Sequence, residues 1–175
     1  MRAVFLDRDG VLNEALVSEG RPYPPDKIEN LKLFSDAANA LARLKEAGFL
    51  LLVVTNQPDV ARGAQSRAAV EAINAAVADQ LPIDGFLVCW HDDEAGCSCR
   101  KPKPGLLLDA AARYQIDLAA SFLIGDRWRD IDAGAAAGCR TVLIDRQYRE
   151  RKPTAEPDFR TNSLTGAADW ILQAH

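Results

Sequence analysis

A four-residue apolar run, Ala3-Val4-Phe5-Leu6, stops abruptly at Asp7-Arg8-Asp9-Gly10. No other feature of the sequence constrains the fold as much. Apolar runs this short, bounded by turn residues, read as strands buried on both faces of a parallel sheet. In open α/β sheets ligands bind beyond the carboxyl ends of the strands, where Asp7 and Asp9 fall. Residues two apart in extended chain point to the same side, so both carboxylates can address one ligand. Gly10 lets the backbone leave the strand in a conformation that other residues resist. By itself Asp-Arg-Asp-Gly is equally a solvated turn, since Asp and Gly are common turn residues. The other strand ends must separate the two readings.

Four more apolar runs follow. Residues 49–54 end at Thr55-Asn56-Gln57-Pro58, residues 86–90 enter a cysteine-rich loop, residues 121–124 end at Gly125-Asp126, and residues 141–144 form the fifth. Helical stretches lie between them. The first starts at Ser35-Asp36, carries Ala37, Ala38, Leu41, Leu44 and Ala47 as its stripe, and stops at Gly48. Residues 66–80 begin with Ser66 as a cap, 104–114 open on Pro104, 131–137 close on Gly138, and 163–173 end the chain. Strands alternating with helices predict an α/β fold, a doubly wound parallel sheet. Residues 11–33 contain Pro22, Pro24 and Pro25 and are expected to be irregular. Loops of that length in compact domains usually serve as lids or binding loops. Residues 145–157, charged and proline-bearing, read as a surface loop. With no repeat or linker, residues 1–175 are expected to form a single domain with a sizeable core.

The net charge of −4 and the lack of a long basic run argue against nucleic acid or a membrane surface as partner. An anionic ligand would need local cations, for which Arg8, Arg21, Arg62, Arg100, Lys103 and Arg127 are candidates. Trp90 and Trp128 flank the same edge and could wall a pocket, or simply pack. No apolar run approaches membrane-spanning length, and the chain starts inside a strand, leaving no room for a signal peptide. A cytoplasmic, reducing setting is therefore expected. There the four cysteines suit metal ligation or core packing better than disulfides.

Two constellations carry chemistry. Asp7, Asp9 and Asp126 end strands on one edge of the sheet and offer the oxygen ligands that a hard cation such as Mg²⁺ takes. Thr55 and Lys101 reach the same edge, and a hydroxyl and an ammonium are what a transferring phosphoryl group needs around its oxygens. The bland alternative, four unrelated strand caps, requires coincidence at four places. The second constellation is Cys89, His91, Cys97 and Cys99, two close pairs of the N and S ligands that Zn²⁺ binds tetrahedrally. Its alternatives are a core Cys89 beside a polar loop, or a disulfide. A zinc held by four protein ligands would be structural, ordering the loop that delivers Arg100 and Lys101. Cys139, isolated, reads as a core residue.

Asp7-Arg8-Asp9-Gly10, Thr55-Asn56, Lys101 and Gly125-Asp126 with Asp130 resemble the four ordered motifs of the haloacid dehalogenase superfamily of phosphohydrolases, whose Rossmann-like core would here lack a large cap domain. The resemblance implies that Asp7 is a nucleophile forming an aspartyl-phosphate, and that Asp9 protonates the leaving oxygen and then activates water. It also implies Mg²⁺ on Asp7, the Asp9 carbonyl and Asp126 with Asp130 behind them, and phosphoryl oxygens on Thr55 and Lys101. The Cys-x-His and Cys-x-Cys pairs before Arg100-Lys101-Pro102 are similar to those of the heptose 1,7-bisphosphate phosphatases and the related histidinol-phosphate phosphatases. That similarity implies a small phosphorylated sugar as substrate, most closely the 7-phosphate of the heptose bisphosphate, with histidinol phosphate as the rival. Asn56, Gln57, Arg100 and Arg127 would bind it, Arg127 standing where that family usually has lysine. A monomer is expected. A receiver-type phospho-accepting module shares the strand-end chemistry, but would carry its Asp on a third strand, which here ends in Cys89-Trp90-His91.

Overall fold

The computed structural model describes residues 1–174. In chain order it consists of β1 (Ala3–Leu6), a hairpin of β2 (Leu16–Ser18) and β3 (Arg21–Tyr23), α1 (Ala37–Glu46), β4 (Leu50–Asn56), α2 (Arg67–Ala78), β5 (Gly85–Cys89), α3 (Gly105–Tyr114), β6 (Phe122–Gly125), α4 (Trp128–Ala137), β7 (Arg140–Ile144), β8 (Phe159–Thr161) and α5 (Leu164–Gln173). Six strands form one sheet in the order β5-β4-β1-β6-β7-β8, every pair parallel. This is the doubly wound α/β architecture that the alternation of elements predicts.

Side-chain alternation along the strands splits the core into two layers. Val4, Leu6, Leu51, Val53, Phe122, Ile124, Val142 and Ile144 pack with Leu41 and Leu44 of α1 and with Leu164, Ala168 and Ile171 of α5. Ala3, Phe5, Leu52, Val54 and Leu123 face the other way, onto Leu106, Leu107 and Ala110 of α3 and Ala133 of α4. With both faces covered, β1 is buried along its whole length, which is why its sequence is apolar without alternation. Cys139 joins the second layer as a core residue. Ser66 caps α2, its Oγ accepting the Ala69 N–H at 3.1 Å. Asp36 does not cap α1; its carboxylate accepts from Thr165 N–H and Oγ at 2.9 and 3.2 Å, tying the start of α1 to that of α5.

Three expectations need correction. Residues 11–33 are not wholly irregular, because β2 and β3 pair around a two-residue turn in which Glu19 and Gly20 both have positive φ. Pro22 is tolerated opposite Val17, since a two-stranded ribbon has no interior strand whose ladder it would break. A further short strand, β8, extends the sheet beyond β7. Helix α4 starts at Trp128 rather than at 131, its first turn fixed by the Asp130 carboxylate accepting the Arg127 N–H at 3.1 Å. No helix among the described residues is long and apolar enough to cross a membrane.

Candidate active site

Strand register sets the site. Leu6 is level with Val53 on one side and Ile124 on the other. Asp7, Thr55 and Asp126 therefore emerge together at the carboxyl edge. A cavity of about 250 Å³ opens above them, with Asp7, Thr55, Lys101 and Asp130 on its buried floor.

Lys101 is the hub of that floor. Its Nζ donates to Asp130 Oδ1 at 2.6 Å and to the Val54 carbonyl at 2.7 Å, and forms an ion pair with Asp7 Oδ1 at 2.9 Å. Burial works against its charge, but the Asp130 and Asp7 carboxylates more than offset this and raise its pKa. Burial pushes the Asp7 carboxyl up to about 6 against the pull of Lys101, with Asp130 and Asp9 adding to the rise. Asp126 is raised well above the usual carboxylate range, by burial first and then by Asp7 and Asp130. Both its oxygens are buried and lack a partner of good hydrogen-bond geometry among the described residues, and the nearby Tyr148 hydroxyl offsets the rise only in part.

Oxygens of Asp7, Asp126 and Asp130 all lie within 4.8 Å of one another. Three buried carboxylates facing one ammonium, with two oxygens left unpartnered, form a set that a hard divalent cation would complete. The approach to that set excludes any side chain at position 10. A Cβ there would sit 1.8 Å from Asp126 Oδ2, and the backbone has φ +87°.

Asp9 lines the same cavity, but its carboxylate turns away from the metal-type cluster. It accepts from Arg8 Nε and NH2 at 3.3 and 3.1 Å, from Asn13 Nδ2 at 3.0 Å and from Gln57 Nε2 at 3.0 Å. Arg8, a candidate substrate cation by sequence, is fully buried and braces Asp9 against Asn74, whose Oδ1 accepts from NH1 at 2.7 Å. Gln57, assigned to substrate, is also buried and does not line the cavity; its amide serves Asp9 and, at 3.0 Å, Thr55 Oγ1. That bond fills an acceptor site of Thr55 and leaves its O–H to donate into the cavity. Asn56 does line the cavity, yet both ends of its amide hold the backbone of Lys101, at 3.0 and 3.1 Å.

Arg100 and Arg127 reach the cavity as expected, each already paired. Arg100 grips Asp93 through Nε and NH2 at 3.0 and 3.2 Å, while Arg127 is fastened to Glu150. Lys103 is elsewhere, donating to the carbonyls of Gly96 and Cys97. Neither tryptophan walls the cavity: Trp90 lies under Arg67, and Trp128 stacks with Arg129 and Arg151. Sequence reasoning missed Arg129, Asp93, Tyr148 and Glu150. Arg129 had a usable signal, sitting between Arg127 and Asp130 at the start of a helix that opens on the site. Tyr148 and Glu150 had none, because they return from a surface loop.

The cysteine cluster also assembles. Cys89 lies 3.8 Å from Cys97 and 3.2 Å from Cys99, the latter two are 3.5 Å apart, and His91 Nδ1 is 3.7 and 3.4 Å from Cys89 and Cys99. A tetrahedral ion with Zn–S near 2.3 Å sets its ligand atoms about 3.5–3.8 Å apart, so the knot suits zinc. All four cysteines of the chain are free thiols, which removes the disulfide alternative. The knot closes directly before Arg100 and Lys101. Its backbone packs so tightly on α3 that a Cβ at Gly105 would meet the Ser98 carbonyl at 2.3 Å.

Comparison with known proteins places this geometry. A HAD-hydrolase-like family model matches residues 98–167. The D-glycero-beta-D-manno-heptose-1,7-bisphosphate 7-phosphatase of Escherichia coli K12 is 36% identical over 98% of this chain and 88% of that protein. The protein of the same name from Pseudomonas aeruginosa is 36% identical over 97% of each. Among solved structures, D,D-heptose 1,7-bisphosphate phosphatase from B. bronchiseptica, complexed with magnesium and phosphate, superposes with a TM-score of 0.82 at 31% identity, covering all of both chains. With relatives matched over nearly their full length and the strand-end carboxylates gathered at one edge, the chain belongs to the haloacid dehalogenase-like phosphatases.

Proposed function

We propose that the protein is a Mg²⁺-dependent phosphomonoesterase that removes the 7-phosphate of D-glycero-D-manno-heptose 1,7-bisphosphate through an aspartyl-phosphate on Asp7. The observation that carries the reading is the 2.9 Å contact of Asp7 with a buried Lys101, beside Asp126 and Asp130 within 4.8 Å. The names of the full-length relatives supply the substrate.

Asp7 Oδ1 is engaged by Lys101, which leaves Oδ2 to attack phosphorus. As the Oδ2–P bond forms, the bond to the sugar oxygen breaks and that oxygen takes a proton from Asp9. Water then attacks the phosphoryl group, gives its proton to Asp9 and returns Asp7 as the carboxylate. Lys101 and the Thr55 hydroxyl hold phosphoryl oxygens whose charge grows along the way. The cradle of Arg8, Asn13 and Gln57 fixes where Asp9 starts. Asp7, Asp126 and the Asp9 carbonyl would hold Mg²⁺, with Asp130 behind them on Lys101. When bound, the ion supplies the positive charge that offsets the carboxylates and the phosphoryl group. Cys89, His91, Cys97 and Cys99 would hold a structural zinc. Every group named comes from one chain, in keeping with a monomer.

The cavity lining disfavours histidinol phosphate. Arg21, Arg62, Arg100, Arg127 and Arg129 meet whatever hangs from the phosphate, and a cationic amine would be repelled there. The receiver-type reading loses as well, since β5 is an edge strand that ends in the cysteine knot. The deciding experiment is a panel of phosphate esters assayed with and without Mg²⁺. The heptose bisphosphate should exceed histidinol phosphate in kcat/KM by about 100-fold or more. The reverse order would overturn the substrate assignment.

A further inference from the structure

The arginines of the cavity are not equivalent. Arg127 is met by Glu150, a mostly buried acid. Arg62, Arg100 and Arg129 instead converge on one carboxylate, that of Asp93. Arg100 binds both its oxygens at 3.0 and 3.2 Å, Arg129 NH1 reaches Oδ1 at 3.2 Å, and Arg62 NH2 approaches Oδ2 at 3.6 Å. The three arise from separate places: the turn after β4, the loop after β5, and the first turn of α4. All four residues line the cavity that has Asp7 and Lys101 at its floor.

Asp93 does not belong to the packed interior, for half of its side chain is exposed (53%). Asp59 answers Arg62 alone at 3.5 Å, so three guanidiniums meet two carboxylates and a positive excess remains. The two-pronged contact with Arg100 is the geometry by which guanidinium binds carboxylate and phosphate alike. Arg100 is mostly buried (11%), so the exchangeable partner is Asp93, whose half-exposed side chain can turn out to water while the guanidiniums stay in place. Asp7 and Lys101 are needed for the phosphoryl group that reacts, and the arginine cluster lines the same cavity beside them.

We propose that Asp93 is a displaceable internal occupant of an anion-binding cluster made by Arg62, Arg100 and Arg129, and that it yields to a second anionic group of the substrate. The inference rests on the phosphatase reading and deepens it by giving the chain a means to prefer a bisphosphate. A phosphate dianion brings more charge to the cluster than the carboxylate it replaces. A neutral hydroxyl at the same place brings none and leaves Asp93 seated. Displacing Asp93 is therefore a cost that the bisphosphate alone meets, so the arginines supply the preference and Asp93 moderates it. Arg129 is a specificity residue in this scheme.

The test compares the heptose 1,7-bisphosphate with the heptose 7-phosphate on the wild type, Asp93→Asn and Arg129→Gln. Binding is measured by calorimetry without Mg²⁺, and kcat/KM is measured with it. The readout is the ratio between the two esters. Asp93→Asn should widen the preference for the bisphosphate about threefold to tenfold, and Arg129→Gln should narrow it about tenfold. If Asp93→Asn narrows the ratio as Arg129→Gln does, the carboxylate is a scaffold for the arginines and the proposal fails. It fails too if neither variant moves the ratio. Zinc content reports whether the loop survives Asp93→Asn, and Arg62→Gln, outside the loop, should narrow the ratio independently. Absence of turnover in the wild type would instead sink the phosphatase reading, while the calorimetric ratios would still judge the cluster.

Discussion

The molecule gathers metal-type ligands in two places, and the two are built on opposite terms. The carboxylate site sits at the centre of the sheet edge, buried, with more negative charge than its own lysine can answer and with both Asp126 oxygens unpartnered. The cysteine knot sits at the end of edge strand β5 and brings three thiols and an imidazole within 4.8 Å of one another, all four from one short stretch of chain. The first tolerates poor electrostatics because its groups must meet a substrate. The second, with a metal bound, would satisfy its own groups and fix a loop. They are joined by two residues, Arg100 and Lys101, which follow the last cysteine directly and enter the cavity.

If the open site performs the chemistry, the largest effect belongs there. Asp7→Asn should lower kcat on the order of 10⁴-fold or more while leaving zinc content and the circular dichroism spectrum unchanged. Phosphate release near the wild-type rate would remove the nucleophile from Asp7. The knot should not react to this substitution at all.

The same contrast shows in what the sequence discloses. The carboxylate site was legible because β1, β4 and β6 are buried on both faces, so a continuous apolar run stops where the polar edge begins. The knot was legible because its ligands lie in two close pairs within one loop. What stayed hidden is held by partners remote in sequence. Arg8 looked like a cation for an anionic ligand, but Asn74, sixty-six residues on, gives its guanidinium a buried partner. Gln57 and Asn56 looked like substrate groups, yet their amides are spent on Asp9, Thr55 and the Lys101 backbone. Strand β8 has three residues, too few to show a period, and Pro22 masked a hairpin that pairs on one side alone.

Buried charge also predicts an unusual pH response for the open site. Between an ordinary carboxyl value near 3.8 and about 6, folded Asp7 keeps a proton that the unfolded chain has shed. The folded state then binds more protons, so stability falls as pH rises through that window, by about 3 kcal/mol for this group, and Asp126 acts in the same direction. Without added Mg²⁺ the urea midpoint should therefore be higher at pH 5 than at pH 7, relative to the same series in saturating Mg²⁺. Comparing the two series cancels any effect of the knot, which is common to both. Parallel curves would show that no cation answers these carboxylates.

For the knot, Cys97→Ser should abolish stoichiometric zinc and lower kcat/KM about 10- to 100-fold, through disorder in the loop that carries Arg100 and Lys101. An equal loss of zinc with full activity would cut the proposed link between the two regions. Wild-type protein devoid of zinc would dismiss the knot as a metal site.

The finest test lies at the joint itself. Asn56 comes from the end of β4, in the open site, and its amide pairs with both the N–H and the carbonyl of Lys101, on the loop that follows the knot. Removing it in Asn56→Ala leaves two backbone groups to find other partners, a loss of about 1–2 kcal/mol in a partly buried setting. If the two regions are separable devices coupled through Lys101, the variant should keep its zinc and lose roughly tenfold in kcat, with KM nearly unchanged, because Lys101 is misplaced at its floor position rather than absent. A variant that loses zinc as well would mean that the knot is held in shape by the open site. The causal order would then reverse, the catalytic edge ordering the loop through Asn56.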